Sequence, residues 1–138
     1  MTENWRAFDF KNILKLYESV NWIAYTEKPV ELKLAFENSS YILLAIQNEQ
    51  VVGALRSLSD GVSVHYLQDI LVSPSYQRKG IGRQMLEMAL SRYAHVRAHL
   101  LLTDDEETQH AFYKSLGYKN VREYSNPALN SFLKFKKQ

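Results

Sequence analysis

One stretch concentrates the residues that could do chemistry: Asp69-Ile-Leu-Val-Ser-Pro-Ser-Tyr-Gln-Arg-Lys-Gly-Ile-Gly-Arg. An apolar strand runs through it into a turn. The turn ends in Gln77-Arg78-Lys79-Gly80-Ile81-Gly82, where an amphipathic helix begins. Two glycines at a helix start need a reason, since each costs about 1 kcal/mol against alanine inside a helix. The reason that fits is close approach of a ligand to bare backbone. The first N–H groups of a helix have no internal acceptor, and the macrodipole places about half a positive charge there. Arg78, Lys79 and Arg83 add formal charge. Together these features make an anion cradle suited to a phosphate or pyrophosphate. A lone Gly-x-Gly would read as a plain loop with solvated basic residues. The strand–turn–helix context favours the cradle.

Two familiar glycine-rich cradles do not fit. A GxxxxGK[ST] phosphate loop fails because Arg83-Gln84 follows Gly82. A Rossmann fingerprint needs a small residue where Met85 stands, and the first strand of a βαβ unit before it. His95 and His99 are four apart with His110 beyond. The first helix after the cradle ends between the first two, and no nearby carboxylate completes a set, so no metal site is expected.

The elements that must position the cradle follow from periodicity. Ile13, Leu16, Tyr17 and Val20 recur at helical spacing, which predicts a helix over Lys11–Trp22. Pro29 suits the first turn of a second helix that ends at Asn38-Ser-Ser. Tyr41–Ile46 is an apolar run of the kind covered on both faces. A tight turn at Gln47–Gln50 leads to a returning strand, Val51–Leu58. Asp60-Gly61 is a hairpin signal before a long third strand, Val62–Val72. Met85, Leu86, Ala89, Leu90 and Tyr93 mark one face of a helix from about Gly80 to Ala94. Val96–Leu102 is placed to run parallel to the third strand. Glu106–Leu116 reads as a helix with Thr103 and Glu106 spaced as a capping box and Gly117 as its C-terminal cap. Val121–Tyr124 and Ser131–Lys136 are expected as closing strands. The fold class is α/β: a three-layer α/β/α single domain over residues 1–138, with a mixed, mostly antiparallel sheet.

Composition bounds the rest. The 138 residues are 46% hydrophobic, enough for one domain with a real core. A net charge of +2 is too weak to argue for nucleic acid or an anionic membrane. With no cysteine, disulfides, cysteine–zinc sites and a cysteine nucleophile are excluded. The N-terminal MTENWRAFDF lacks a basic region followed by an apolar stretch, so no signal peptide is expected, and a cytoplasmic location follows as an expectation. Apolar runs such as Ile42–Ile46 fall far short of the roughly 20 residues of a membrane span.

The stretch from Leu71 to Arg83 resembles the acetyl-CoA signature of the GNAT superfamily of N-acetyltransferases, Q/R-x-x-G-x-G/A. Ala111-Phe-Tyr-Lys-Ser-Leu-Gly-Tyr resembles that superfamily's later A-x-Y-x-x-x-G-F element. The element order matches as well, so the resemblance covers most of the chain. It departs at Glu106, where members often carry Asn, and at Thr2–Phe10, where the family's first strand has only a weak signal.

The resemblance implies a splayed parallel pair of strands and direct acetyl transfer from acetyl-CoA to a primary amine. It implies pyrophosphate contacts from Gln77, Arg78, Lys79, Gly80, Ile81, Gly82 and Arg83, and pantetheine contacts from Ile70, Leu71 and Val72, with Phe112 beside the cosubstrate. Amine attack needs a neutral amine, a held oxyanion and a protonated leaving thiolate. Tyr113 is the candidate general acid, a phenol of pKa about 10 matched to a thiolate of about 8.5. Asp69 is the candidate base, since strict alternation puts it on one face with Ser63, His65, Leu67 and Leu71. A structural carboxylate bonded to backbone near a strand irregularity is its equal alternative. His65 or water is the other candidate base, and His65 is otherwise expected as an exposed strand residue. Arg56 is expected to salt-bridge a neighbour, with an acceptor carboxylate as its alternative partner. Trp22, Tyr25, Tyr41 and Tyr66 are candidates for core packing or an acceptor pocket. Glu106 keeps open a CoA-binding module without turnover. The acceptor is not legible, and a homodimer is one assembly the resemblance allows.

Overall fold

The structure, a computed structural model, describes residues 1–137. It falls into two units, Met1–Leu102 and Thr103–Gln138. In the first unit the helices are α1 (Phe10–Ser19), α2 (Ile23–Thr26), α3 (Pro29–Glu37) and α4 (Ile81–Arg92). The strands are β1 (Tyr41–Gln47), β2 (Gln50–Ser59), β3 (Val64–Val72) and β4 (Ala98–Leu101), in the sheet order β1-β2-β3-β4.

The first predicted helix stops three residues early, because Asn21 takes a left-handed φ of 60°. α3 begins at Pro29, where the missing N–H is harmless. Asn48 and Glu49 have φ of 50° and 64°, the two-residue primed turn that matches strand twist. At the next turn the Asp60 carboxylate accepts from the N–H groups of Val62, Ser63 and Val64 and from the Ser63 hydroxyl, which holds its pKa well below the usual range.

β1–β2 and β2–β3 are antiparallel and β3–β4 parallel. One face of the sheet carries Ile42, Leu44, Ala54 and Leu71 against Ile13, Leu16 and Tyr17 of α1 and Leu32 and Phe36 of α3. The other face meets α4. There a Cβ on Gly53 would lie 3.2 Å from Ala45 Cβ and Met85 Cε and 3.3 Å from Ile81 Cγ2. Glycine at 53 therefore lets the first turn of α4 sit close on the sheet. The layers are helix, sheet, helix. The expected first strand reduces to one bridge, in which Thr2 and Leu44 exchange backbone bonds of 2.9 and 2.8 Å.

The second unit holds α5 (Glu107–Ser115). The expected capping box does not form, because Glu106 is itself the N-cap and so stands three residues early for the reciprocal bond. The C-terminus is a full Schellman cap. Gly117 has φ 95°, its N–H reaches the Lys114 carbonyl at 3.1 Å, and the Tyr118 N–H reaches that of Tyr113 at 3.1 Å. Neither closing strand is present. Val121–Glu123 is a single 3-10 turn whose Arg122 N–H is accepted by Asn120 Oδ1, and Ser131–Lys136 has no regular structure. Alternation alone does not make a strand; a partner edge must accept its backbone bonds. Phe132 and Phe135 are accordingly 95% and 80% exposed.

Candidate functional site

The parallel pairing of β3 with β4 ends at Leu67↔Leu101, while β3 runs on to Val72. The last five residues of β3 thus have no strand partner on that side among the described residues, because β4 ends at Leu101. Which groups line the edge follows from the β2 ladder. Ser73 N–H donates to Val52 C=O at 2.8 Å, in phase with the pairs Ala54↔Leu71 and Arg56↔Asp69. Alternation then turns the backbone of Leu71 toward β2 and that of Ile70 and Val72 toward the open edge. Of the three residues expected there, Ile70 and Val72 present backbone groups, and Leu71 fills the core instead. The Val72 carbonyl is already taken by Gln77 Nε2 at 2.9 Å. Gln77 is therefore the clasp between strand end and turn.

The turn passes through a 3-10 segment, Pro74–Tyr76, and two left-handed residues, Arg78 at φ 63° and Gly80 at φ 82°. Gly80 is the N-cap of α4, and a Cβ built on it would meet nothing within 4 Å. Gln84 N–H bonds Gly80 C=O at 3.0 Å and starts the helix ladder, leaving the N–H groups of Ile81 and Gly82 without intrahelical acceptors. Lys79 Nζ lies 5.3 Å from the Tyr76 ring centroid, and Arg83 pairs with Glu87 at 3.4 Å on the surface. This arrangement can hold an anion over the helix end and an amide-bearing chain along the strand edge.

Asp69 does not share a face with His65. The register steps from Arg56↔Asp69 to Ser57↔Leu67, so Gln68 is an extra residue in β3. This bulge reverses the alternation. His65 is buried rather than exposed and faces α4, stacked on Tyr93 with ring centroids 4.4 Å apart, whereas Asp69 faces α1 and α2. There the Asp69 carboxylate is buried and accepts three bonds: Tyr17 Oη and Arg56 Nε to Oδ2 at 2.9 and 2.8 Å, and Tyr25 Oη to Oδ1 at 2.9 Å. Arg56 donates further to Tyr25 Oη at 3.1 Å and Ser39 Oγ at 3.3 Å. The expected salt bridge of Arg56 is thus made, to its cross-strand neighbour. Burial and then the Asp69 charge raise the Tyr17 and Tyr25 pKa values, so both phenols act as neutral donors. Burial opposes the Arg56 charge, but Asp69 outweighs it and the guanidinium pKa rises.

Sequence reasoning missed Tyr17 and Tyr25 as partners of Asp69. A usable signal was there: a tyrosine on the buried stripe of a helix needs a partner for its hydroxyl, and Arg56 within an apolar strand needs a counterion. The four aromatic candidates do not form one group. Trp22 and Tyr25 pack with Tyr17, while Tyr41 stands on the other face against Tyr93.

Two of the four histidines meet each other, and the other two have separate partners. His65 and His99 approach Nδ1 to Nδ1 at 3.0 Å, and His95 Nε2 lies 2.8 Å from the Gly61 carbonyl. Burial and then His99 lower the His65 pKa to about 4. In the second unit, His110 pairs with Asp105 at 3.1 Å. There Tyr113 packs edge-on against Phe112 and Tyr118, with centroids 5.1 and 5.9 Å away. Burial raises the Tyr113 pKa. Burial and then Tyr113 push Tyr118 up to about 12.

Known proteins share this fold. The model of the acetyltransferase (GNAT) domain matches residues 38–120. A GNAT family acetyltransferase from Streptococcus pneumoniae TIGR4 superposes with a TM-score of 0.80 at 30% identity, covering 95% of this chain and 93% of that one. A Gibberella zeae protein that bears an acetyltransferase name is 40% identical over 82 residues, 57% of this chain and 45% of its own. The chain spans about half to two thirds of the length of the curated relatives it matches. A GNAT family acetyltransferase from Elizabethkingia anophelis, solved with acetyl-CoA bound, shares the fold at a TM-score of 0.54 and 22% identity over 64% of this chain and 60% of that one.

Proposed function

The chain belongs to the GNAT acetyltransferase family, and from that premise we propose that it transfers an acetyl group from acetyl-CoA directly to a primary amine. One observation carries the reading: β3 outruns its parallel partner and leads straight into a left-handed glycine at the N-terminus of a twelve-residue helix. The residues fit the cosubstrate. Its pyrophosphate matches the turn from Gln77 to Arg83, where Gly80 presents bare backbone and Arg78 and Lys79 bring charge. Its pantetheine amides match the Ile70 backbone groups and the Val72 N–H on the open edge.

When bound, acetyl-CoA supplies an activated acetyl thioester. The chain's own residues then orient it and manage protons. To a backbone N–H of the β3 edge we assign the polarising of the thioester carbonyl. A lysine-like amine of pKa about 10.4 costs roughly 4 kcal/mol to deprotonate at pH 7.4, which a weak base or water can meet. Tyr113 is the proposed general acid, on the strength of its motif and its raised pKa, which keeps the phenol protonated. Phe112 is proposed beside the cosubstrate on the same motif. Asp69, the expected base, already receives three donors, so we assign the amine proton to solvent water and give Asp69 a positioning role. The two units are proposed to act as one domain.

Calorimetric titration with acetyl-CoA, with NAD and ATP as controls, tests the binding half of the reading. Release of CoA thiol over an amine panel tests the transfer half. Failure of acetyl-CoA to bind would overturn the proposal. Tight binding with no transfer to any amine would favour a binding module instead.

A further inference from the structure

Three features of β3 coincide at one point. The extra residue Gln68 enters the strand, the pairing with β4 ends at Leu67, and Asp69 gathers Arg56, Tyr17 and Tyr25. We infer that the Arg56–Asp69 pair, with the Tyr17 and Tyr25 hydroxyls, is a register lock that fixes the bulge at Gln68 and so decides which backbone groups face the open edge. The inference rests on the reading of that edge as the acetyl-CoA seat.

His65, Leu67, Asp69 and Leu71 are all odd-numbered, so an unbulged strand would send all four to the α4 face. The fold needs the first pair there and the second pair against α1. Apolar packing alone leaves the position of the extra residue poorly specified, because Ile70 and Leu71 could exchange faces with little change in buried apolar surface. Asp69 cannot exchange. On the α4 face it would stand as a buried carboxylate without Arg56 and without either phenol, while Arg56 was left buried and unpaired. With His65 and Leu67 held in place, loss of the bulge or its displacement past Leu71 would also turn the Leu71 backbone toward the open edge in place of Ile70 and Val72. Buried ion pairs are poor sources of stability and best attested as register devices. Arg56 and Asp69 are therefore positioning residues, acting through the backbone of Ile70 and Val72.

The test replaces the polar lock by apolar side chains of like size: Arg56→Met, Asp69→Leu and Tyr17→Phe together. Hydrogen exchange and cross-strand NMR contacts report the register of β3 without acetyl-CoA, and calorimetry reports affinity. The expected result is a folded protein with a melting temperature near the parent's, fast exchange and mixed register over residues 67–72, and acetyl-CoA affinity weakened by about tenfold or more. A folded variant with the parent's register overturns the inference. So does the parent's affinity in a variant whose register has changed. If the triple variant does not fold, Tyr25→Phe removes one bond each from Asp69, Arg56 and Gln68 at a half-buried site. It is expected to speed exchange over residues 67–72 and weaken affinity, and no change in either refutes the lock. Absence of acetyl-CoA binding by the parent protein would sink the functional reading, while the register measurement would still judge the lock.

Discussion

Gly80 offers a pair of substitutions that separates charge from shape. It is the N-cap of α4 at φ 82°, and open space surrounds the position of a Cβ. Asn and Asp are the side chains that tolerate left-handed backbone best, so Gly80→Asn and Gly80→Asp should both fold, each about 1 kcal/mol less stable than the parent. The two variants differ by one charge. At a helix N-terminus flanked by Arg78 and Lys79 that charge is favourable, so the Asp variant should be more stable than the Asn variant by about 0.3–1 kcal/mol. Acetyl-CoA binding should move the other way. A carboxylate about 5 Å from a bound phosphate charge costs roughly 1–3 kcal/mol between bulk-water and near-surface screening, or about five- to hundredfold in Kd. Calorimetry at low salt measures the difference, and raising the salt should shrink it. Equal affinities for the two variants, or a tighter-binding Asp variant, would refute the placing of the anion over this helix end.

Tyr113→Phe should lower kcat by about a hundredfold or more with little change in acetyl-CoA affinity, as expected when a general acid is lost. The raised Tyr113 pKa keeps the phenol protonated beyond the usual value, so the alkaline limb of the parent's pH–kcat profile should lie above pH 10 and vanish in the variant. His65 titrates near 4 when folded and near 6.5 when unfolded, so the unfolded chain takes up the proton first. Stability should hold above about pH 6.5 and fall by up to roughly 3 kcal/mol toward pH 4. Urea denaturation across that range should show the slope, and His65→Phe, which keeps a ring on Tyr93, should flatten it. Gly53→Ala should cost about 1–3 kcal/mol, because its methyl would meet Ala45, Met85 and Ile81 at 3.2–3.3 Å and push the first turn of α4 off the sheet. Unchanged thermal stability would show that Met85 can yield.

Much of the architecture was legible because it is written in local spacing. The apolar period of Met85, Leu86 and Ala89 marks α4, the turn residues Asn48 and Glu49 separate β1 from β2, and Gly117 ends α5. The cradle was legible for the same reason: strand, turn, glycine and helix are consecutive, and backbone at a helix start has its free N–H groups whatever packs around it. The closing strands were not legible, because alternation in Ser131–Lys136 says nothing about whether an edge is there to pair with it.

The face of Asp69 was decided elsewhere. Counting by twos puts it beside His65, and only the tertiary structure shows Gln68 as an extra residue that turns it toward Tyr17 and Tyr25. By itself the sequence determined most of the helices and the first four strands, their order, and the helix start whose backbone N–H groups lack helical acceptors. The tertiary structure decided which backbone groups line the open edge and what the buried carboxylate does. The physical reason is that a helix start is satisfied within a few residues, whereas a bulge is settled by partners that lie 13, 44 and 52 residues away along the chain.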